Sequence, residues 1–126
     1  MNNYLLVFAG GGLGSMLRLG TYHLARLWLP PQFPWGTFAV NVIGGLCAGL
    51  VSGWLVSRSA GGADPAALFL MTGVLGGFTT FSAFSVDAVL LFQRGSQGAA
   101  AAYVLASLSL SLTGAALGLW LVRHAG

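Results

Sequence analysis

The stretch "GGFTTFSAFS", Gly76 to Ser85, decides the fold. Two glycines open it; two threonines, two serines and three phenylalanines follow. It lies inside an apolar segment that runs from about Ala66 to Phe92. A helix crosses a bilayer with about 20 mostly apolar residues, so the segment is long enough to span. Its centre is nevertheless unsuited to an unbroken helix. Gly76 and Gly77 loosen the backbone, and Thr79, Thr80, Ser82 and Ser85 offer it other hydrogen-bond partners. The reading is a membrane helix broken near its middle. Such a break leaves free carbonyls at the end of the first half and free N–H groups at the start of the second. Carbonyls suit a cation and N–H groups suit an anion. Broken membrane helices point to transport sites.

Composition agrees with a membrane chain. The 126 residues are 56% hydrophobic and 6% charged, where a soluble domain carries about 25% charged residues. There is no lysine and no glutamate; the charges are Arg18, Arg26, Arg58, Arg94, Arg123, Asp64 and Asp87. Five scattered arginines make no basic patch, so nucleic acid is not an expected partner. Cys47 is alone in an apolar run and reads as a small core residue. His23 and His124 lack partners at metal-ligand spacing. The first apolar segment has no basic region before it and carries Arg18 and Arg26 within it, a poor match to a cleaved signal peptide.

The fold class expected is an all-α integral membrane protein, one domain over 1–126, with spans at about 3–29, 35–56, 66–92 and 99–122. Pro30, Pro31 and Pro34 end the first, "SRSAGGADP" the second, "QRGSQG" the third, and Arg123 with His124 the fourth. Four spans put Arg58 and Arg123 on one side, Arg26 and Arg94 on the other. The positive-inside rule counts such residues near span ends, and here the two sides balance, so the rule sets no orientation. Either something else fixes the orientation, or the chain inserts both ways and pairs as an antiparallel homodimer, with a two-fold axis in the membrane plane.

Small residues recur every four positions: Gly10 and Gly14; Asn41, Gly45, Gly49 and Gly53; Gly114 and Gly118. This spacing lets membrane helices approach closely. A carboxamide in hydrocarbon needs a partner, so Asn41 either joins helices or faces a polar pathway. Tyr103, Ser107 and Ser111 stack on one face of the fourth span. Serines there often bond back to the i−4 carbonyl and do no more; a ladder of hydroxyls also suits a hydrogen-bonding solute. Arg18 and Asp87 lie deepest in apolar sequence, where charge is costly. They pair with each other, or each caps a neighbouring helix. Phe81 and Phe84 share a face just past the break. They pack against lipid or helices, or they aim their positive ring edges at a small anion, without the deep trap of a fixed charge.

Three motifs, "GGGLGSMLR", "GTFAVNVIGGLCAG" and "GVLGGFTTFSAFS", together resemble the CrcB/Fluc fluoride channels. The resemblance covers nearly the whole chain. It implies a dual-topology homodimer in the bacterial inner membrane, with two antiparallel pores passing fluoride passively and limiting its accumulation. It implies that the edges of Phe81 and Phe84 line the pores, with Asn41 facing them and Tyr103, Ser107 and Ser111 forming a hydroxyl track. Thr80 and Ser82 are motif positions carried over more loosely. Gly76 and Thr79 match positions whose carbonyls, from both subunits, hold a structural sodium ion. Arg18 matches an arginine in or near the vestibule. Where the family's motif has a second threonine this chain has Ala83, which puts the role of that hydroxyl in doubt. Asp87 stands about where the family's acidic residue, usually glutamate, is expected.

The main rival is a small multidrug-type, proton-coupled exporter, also of four spans. That class uses a glutamate in its first span, and this first span has no acid. A membrane enzyme finds no nucleophile–base pair, metal spacing or cofactor fingerprint. A purely structural bundle has no reason to interrupt its own backbone hydrogen bonding.

Overall fold

The computed structural model describes residues 2–126 and is helical almost throughout. Helix α1 covers Asn3–Trp28 and α2 covers Trp35–Ser57. The third helical run begins with α3, Pro65–Ala67, widens into a π-helix at Leu68–Leu75, and closes with α4, Gly76–Phe78. After two extended residues it resumes as α5, Phe81–Gln93; α6 covers Gln97–Ala125.

Local chemistry explains the boundaries. The Asn2 side chain accepts from Tyr4 N at the start of α1, and the Asp64 side chain accepts from Ala66 N ahead of Pro65. Each satisfies a donor that a helix N-terminus leaves free. At the end of α5, Gly95 adopts φ 87°, Gly95 N donates to Phe92 O and Ser96 N to Leu91 O. That is the left-handed glycine stop of a Schellman motif. α2 ends in the same way, with Ser59 at φ 54° and Ala60 N donating to Leu55 O.

Of the four spans expected, three helical runs are long and apolar enough to cross a membrane: Trp35–Ser57, Pro65–Gln93 and Gln97–Ala125. With 26 residues, α1 has the length, about 39 Å at 1.5 Å per residue. It is less apolar, because Ser15, Arg18, Thr21, His23 and Arg26 lie along it. The outer surface is dominated by large apolar side chains, including Phe8, Leu27, Leu105 and Leu112. A soluble protein rarely exposes such a continuous surface; hydrocarbon is the solvent that accepts it.

Helices in lipid gain no hydrophobic free energy by associating, so packing and hydrogen bonds hold them together. The glycine stripes serve that contact. α2 and α6 form the most extensive interface. A Cβ on Gly45 would stand 2.6 Å from Ser111 O, and one on Gly118 would stand 2.6 Å from Leu46 O and from Leu50 N. α1 lies along the π-helix, where a Cβ on Gly10 would stand 2.5 Å from Phe69 O. π-helical turns are rare and concentrate at functional places; this one leads directly into the break. The small core comprises Phe84, Leu91, Ala100 and Tyr103, with Phe33 and Phe38 packed against it.

Candidate functional site

The helix is interrupted at Thr79 (φ −83°, ψ 158°) and Thr80 (φ −152°, ψ 117°). This corrects the role expected of Gly76 and Gly77: both are helical. Gly77 instead permits close packing, since a Cβ there would meet Gly11 O and, at 3.0 Å, Ser15 N. The threonines make the break tolerable. Thr79 N and Oγ1 both donate to Leu75 O, at 3.0 and 2.9 Å. Thr80 Oγ1 accepts from Ala83 N at 3.1 Å and so caps α5; it lies 3.3 Å from Ser82 Oγ.

Asn41 completes the repair from α2. Its Nδ2 donates to Thr80 O at 2.9 Å, and its Oδ1 accepts from Thr80 N at 2.8 Å. The carboxamide thus pairs with the broken backbone as a neighbouring peptide would. An amide nitrogen carries two donors, so one N–H of Asn41 is not spent on this pair.

These bonds draw donors away from two carbonyls. In a continuous helix Thr80 N would satisfy Gly76 O, and Ala83 N would satisfy Thr79 O. Here Thr80 N goes to Asn41 and Ala83 N to the Thr80 hydroxyl. Gly77 O and Phe78 O lose their donors as well, since α4 ends at Phe78, and Phe81 and Ser82 open α5, so the carbonyls of Gly76, Gly77, Phe78 and Thr79 all lack a helical donor at the break. Oxygen donors of this kind suit a hard cation. Among the described residues, no group of three or more His, Cys, Asp or Glu side chains assembles to hold a metal.

Beside the break lies a groove of about 300 Å³. Asn41, Thr79, Thr80, Phe81, Phe84, Ser107 and Ser111 all line it, with Gly44 and Leu112. Phe84 is buried, whereas Phe81 is 74% exposed, so the groove opens at the surface of the single chain. The two rings lie 5.6 Å apart, tilted by 47°. Ser107 is buried, and its Oγ has no hydrogen-bond partner among the described residues. It makes no back-bond to its own helix, unlike Ser85, whose Oγ donates to Phe81 O at 2.9 Å. A buried hydroxyl without a partner costs free energy and calls for an occupant.

Tyr103 shares a helix face with these serines but does not line the groove. It is fully buried, with its ring 5.2 Å from Phe84 and its hydroxyl donating to Asp87 Oδ2 at 3.3 Å. Ser82 is exposed and also stands outside the groove. A second groove, of about 290 Å³, holds Asp87 together with Tyr22, Arg26, Phe33, Thr37 and Ala83. Thr37 is buried there and donates to the Tyr22 hydroxyl at 3.4 Å. Arg18 lines neither groove, and it does not pair with Asp87. Among the described residues the one ion pair joins Arg58 and Asp64, at 3.7 Å. Reading the sequence missed Arg26, Thr37, Tyr22 and Phe33. The polar ones carry a weak signal, as charges and hydroxyls near a span end; Phe33 carries none.

Apolar helices, a repaired break and a groove lined by hydroxyls and two phenylalanine rings define a helical membrane protein. The chain belongs to the CrcB-like family, whose model, described as "CrcB-like protein, Camphor Resistance (CrcB)", matches residues 5–119. It is 50% identical over 122 residues to a Nitrobacter hamburgensis protein named fluoride-specific ion channel FluC 2, covering 97% of this chain and 98% of that one. A Rhodopseudomonas palustris protein named fluoride-specific ion channel FluC is 50% identical over 120 residues, 95% of this chain and 96% of its own length. A Hyphomonas neptunium protein of the same name is 45% identical over 124 residues, 98% of each chain.

Proposed function

We propose that this chain is a passive fluoride-selective channel of the bacterial inner membrane, built as an antiparallel dual-topology homodimer with two pores. Exporting fluoride down its gradient would lower its toxicity in the cytoplasm. The observation that carries the reading is the broken helix closed by Asn41, with the rings and hydroxyls beside it lining one groove. Relatives named as fluoride channels, aligned over almost their whole length, support the choice of ion. The balanced arginines support insertion in both orientations. The mostly exposed Phe81 supports a groove completed by a second copy.

Fluoride is small and strongly hydrated, so a selective passage must replace its water with donors. Ser107 Oγ, Ser111 Oγ and the uncommitted N–H of Asn41 supply them in a confined space. The edges of Phe81 and Phe84 are weakly positive and narrow the passage. Among the described residues no full positive charge lines this groove, which suits an ion that must leave as readily as it binds. Tyr103 contributes by seating Phe84, and Asp87 by fixing the Tyr103 hydroxyl. Arg18 would act through the field at the mouth rather than by contact. The carbonyls of Gly76 and Thr79, two of the four without helical donors at the break, would suit a structural sodium ion, which would supply central positive potential.

The test is growth. A bacterium stripped of its own fluoride export, carrying this chain, should grow at fluoride concentrations that stop the parent; equal sensitivity would count against the reading. Single-cysteine variants probed with an impermeant maleimide test the topology. Dual insertion labels each site from both faces of the membrane, and one fixed orientation labels it from one.

A further inference from the structure

Phe33 sits in the short connection between α1 and α2, among Pro30, Pro31 and Pro34. A loop residue in such a place would ordinarily face solvent or headgroups. Its ring instead packs against the buried core. It lies 5.3 Å from Tyr103 at an interplanar angle of 90°, and 4.6 Å from Trp35. Tyr103 packs against two rings, Phe33 at 5.3 Å and Phe84 at 5.2 Å. Phe84 continues to Phe81, so a relay of rings runs from the loop to the groove: Phe33, Tyr103, Phe84, Phe81.

The loop is pinned by a second contact. The guanidinium of Arg94 donates to Gln32 O, across 62 positions of sequence. Arg94 is the C-cap of α5, the helix that begins with Phe81 and carries Phe84. The tie therefore fixes the loop to the same helix whose rings line the groove. The prolines stiffen the loop further by fixing their own φ.

We propose that Phe33 is a positioning residue for the pore rings: held by the Arg94–Gln32 tie, it wedges Tyr103 against Phe84 and so sets the angle at which Phe84 meets the permeating anion. The proposal rests on the channel reading above. A narrow passage discriminates between fluoride and chloride by small differences in fit. Phe84 lines the open groove and packs against Tyr103, so part of its resistance to tilting comes from Tyr103, which is held in turn by Phe33 and by its hydrogen bond to Asp87. Without Phe33 a void opens beside Tyr103, both rings gain freedom, and discrimination falls.

The experiment is efflux of fluoride and of chloride from proteoliposomes holding the full chain, for wild type, Phe33→Ala, Phe33→Leu, Phe33→Tyr and Arg94→Gln. The fluoride-to-chloride rate ratio is the readout, because a ring that merely filled space would change yield and melting but not the ratio. Phe33→Ala should lower the ratio by about tenfold, the size of one lost aromatic pair. Arg94→Gln should lower it less, and Phe33→Tyr, which keeps the ring, should restore it. Where the alanine variant fails to assemble, Phe33→Leu keeps apolar bulk without a flat face and should show the same fall. A wild-type ratio in Phe33→Ala or Phe33→Leu overturns the proposal and leaves the channel reading standing. No fluoride flux from wild type overturns both.

Discussion

The carboxamide of Asn41 and the backbone of Thr80 exchange two hydrogen bonds, of 2.9 and 2.8 Å, between helices 39 positions apart in sequence. The pair turns a break that would be costly in hydrocarbon into a stable, specific feature. It joins the packing of α2 to the geometry of the groove, and it takes from Gly76 O the donor that a continuous helix would give it.

Asn41→Ala should therefore lose stability and function together. Leaving a buried donor and acceptor unpaired costs about 1–3 kcal/mol. Thermal unfolding in detergent should show that loss, and fluoride efflux should fall steeply. Asn41→Asp keeps an acceptor for Thr80 N but faces Thr80 O with an acceptor or a charge, so it should not rescue.

Ser107→Ala should separate the two quantities. The hydroxyl makes no hydrogen bond among the described residues, so its removal should leave stability unchanged or raise it, by up to about 1–3 kcal/mol. Fluoride efflux should fall all the same. Efflux at the wild-type rate would place Ser107 off the ion path.

Phe81→Ile should lower fluoride efflux with little change in the stability of the single chain, because that ring is mostly exposed. Phe84→Ile should lower both, because its ring is buried against Tyr103. Paired melting and efflux measurements distinguish them. Unchanged efflux in both variants would reduce the rings to packing.

Gly118→Ala should part α2 from α6. The new methyl would stand 2.6 Å from backbone atoms of Leu46 and Leu50, which no side-chain rotation relieves. Overpacking of this kind costs about 1–3 kcal/mol. Gly98→Ala, where a Cβ meets nothing within 4 Å, should be neutral or stabilising by up to about 1 kcal/mol. Melting temperatures of the two variants check the contrast.

Features set by local sequence were legible in it. Helical runs follow from apolar length and from turn residues such as Gly95. The break follows from hydroxyls placed where a spanning helix needs none. Features set by how helices rotate against each other were not legible. The sequence offered Asn41 as either a helix joint or a pathway residue. The structure spends both carboxamide atoms on the joint and leaves one N–H beside the groove. Tyr103, Ser107 and Ser111 share a face, yet only the serines reach the groove, because Tyr103 turns toward Asp87. Arg26 rather than Arg18 lines a groove: both share a stripe of α1 with Tyr22, but the groove lies at the C-terminal end of that helix, about two turns beyond Arg18. The π-helix at Leu68–Leu75 reads in sequence as an ordinary apolar run. Phe33 lies in a proline-rich stretch that reads only as the end of a span.

The most direct test of the central claim is passive efflux from proteoliposomes loaded with fluoride or with chloride, read by ion-selective electrodes without an imposed proton gradient. The account predicts rapid fluoride loss and negligible chloride loss. Fluoride flux that is absent, or that appears only under a proton gradient, would contradict it and return the chain to a coupled exporter centred on Asp87.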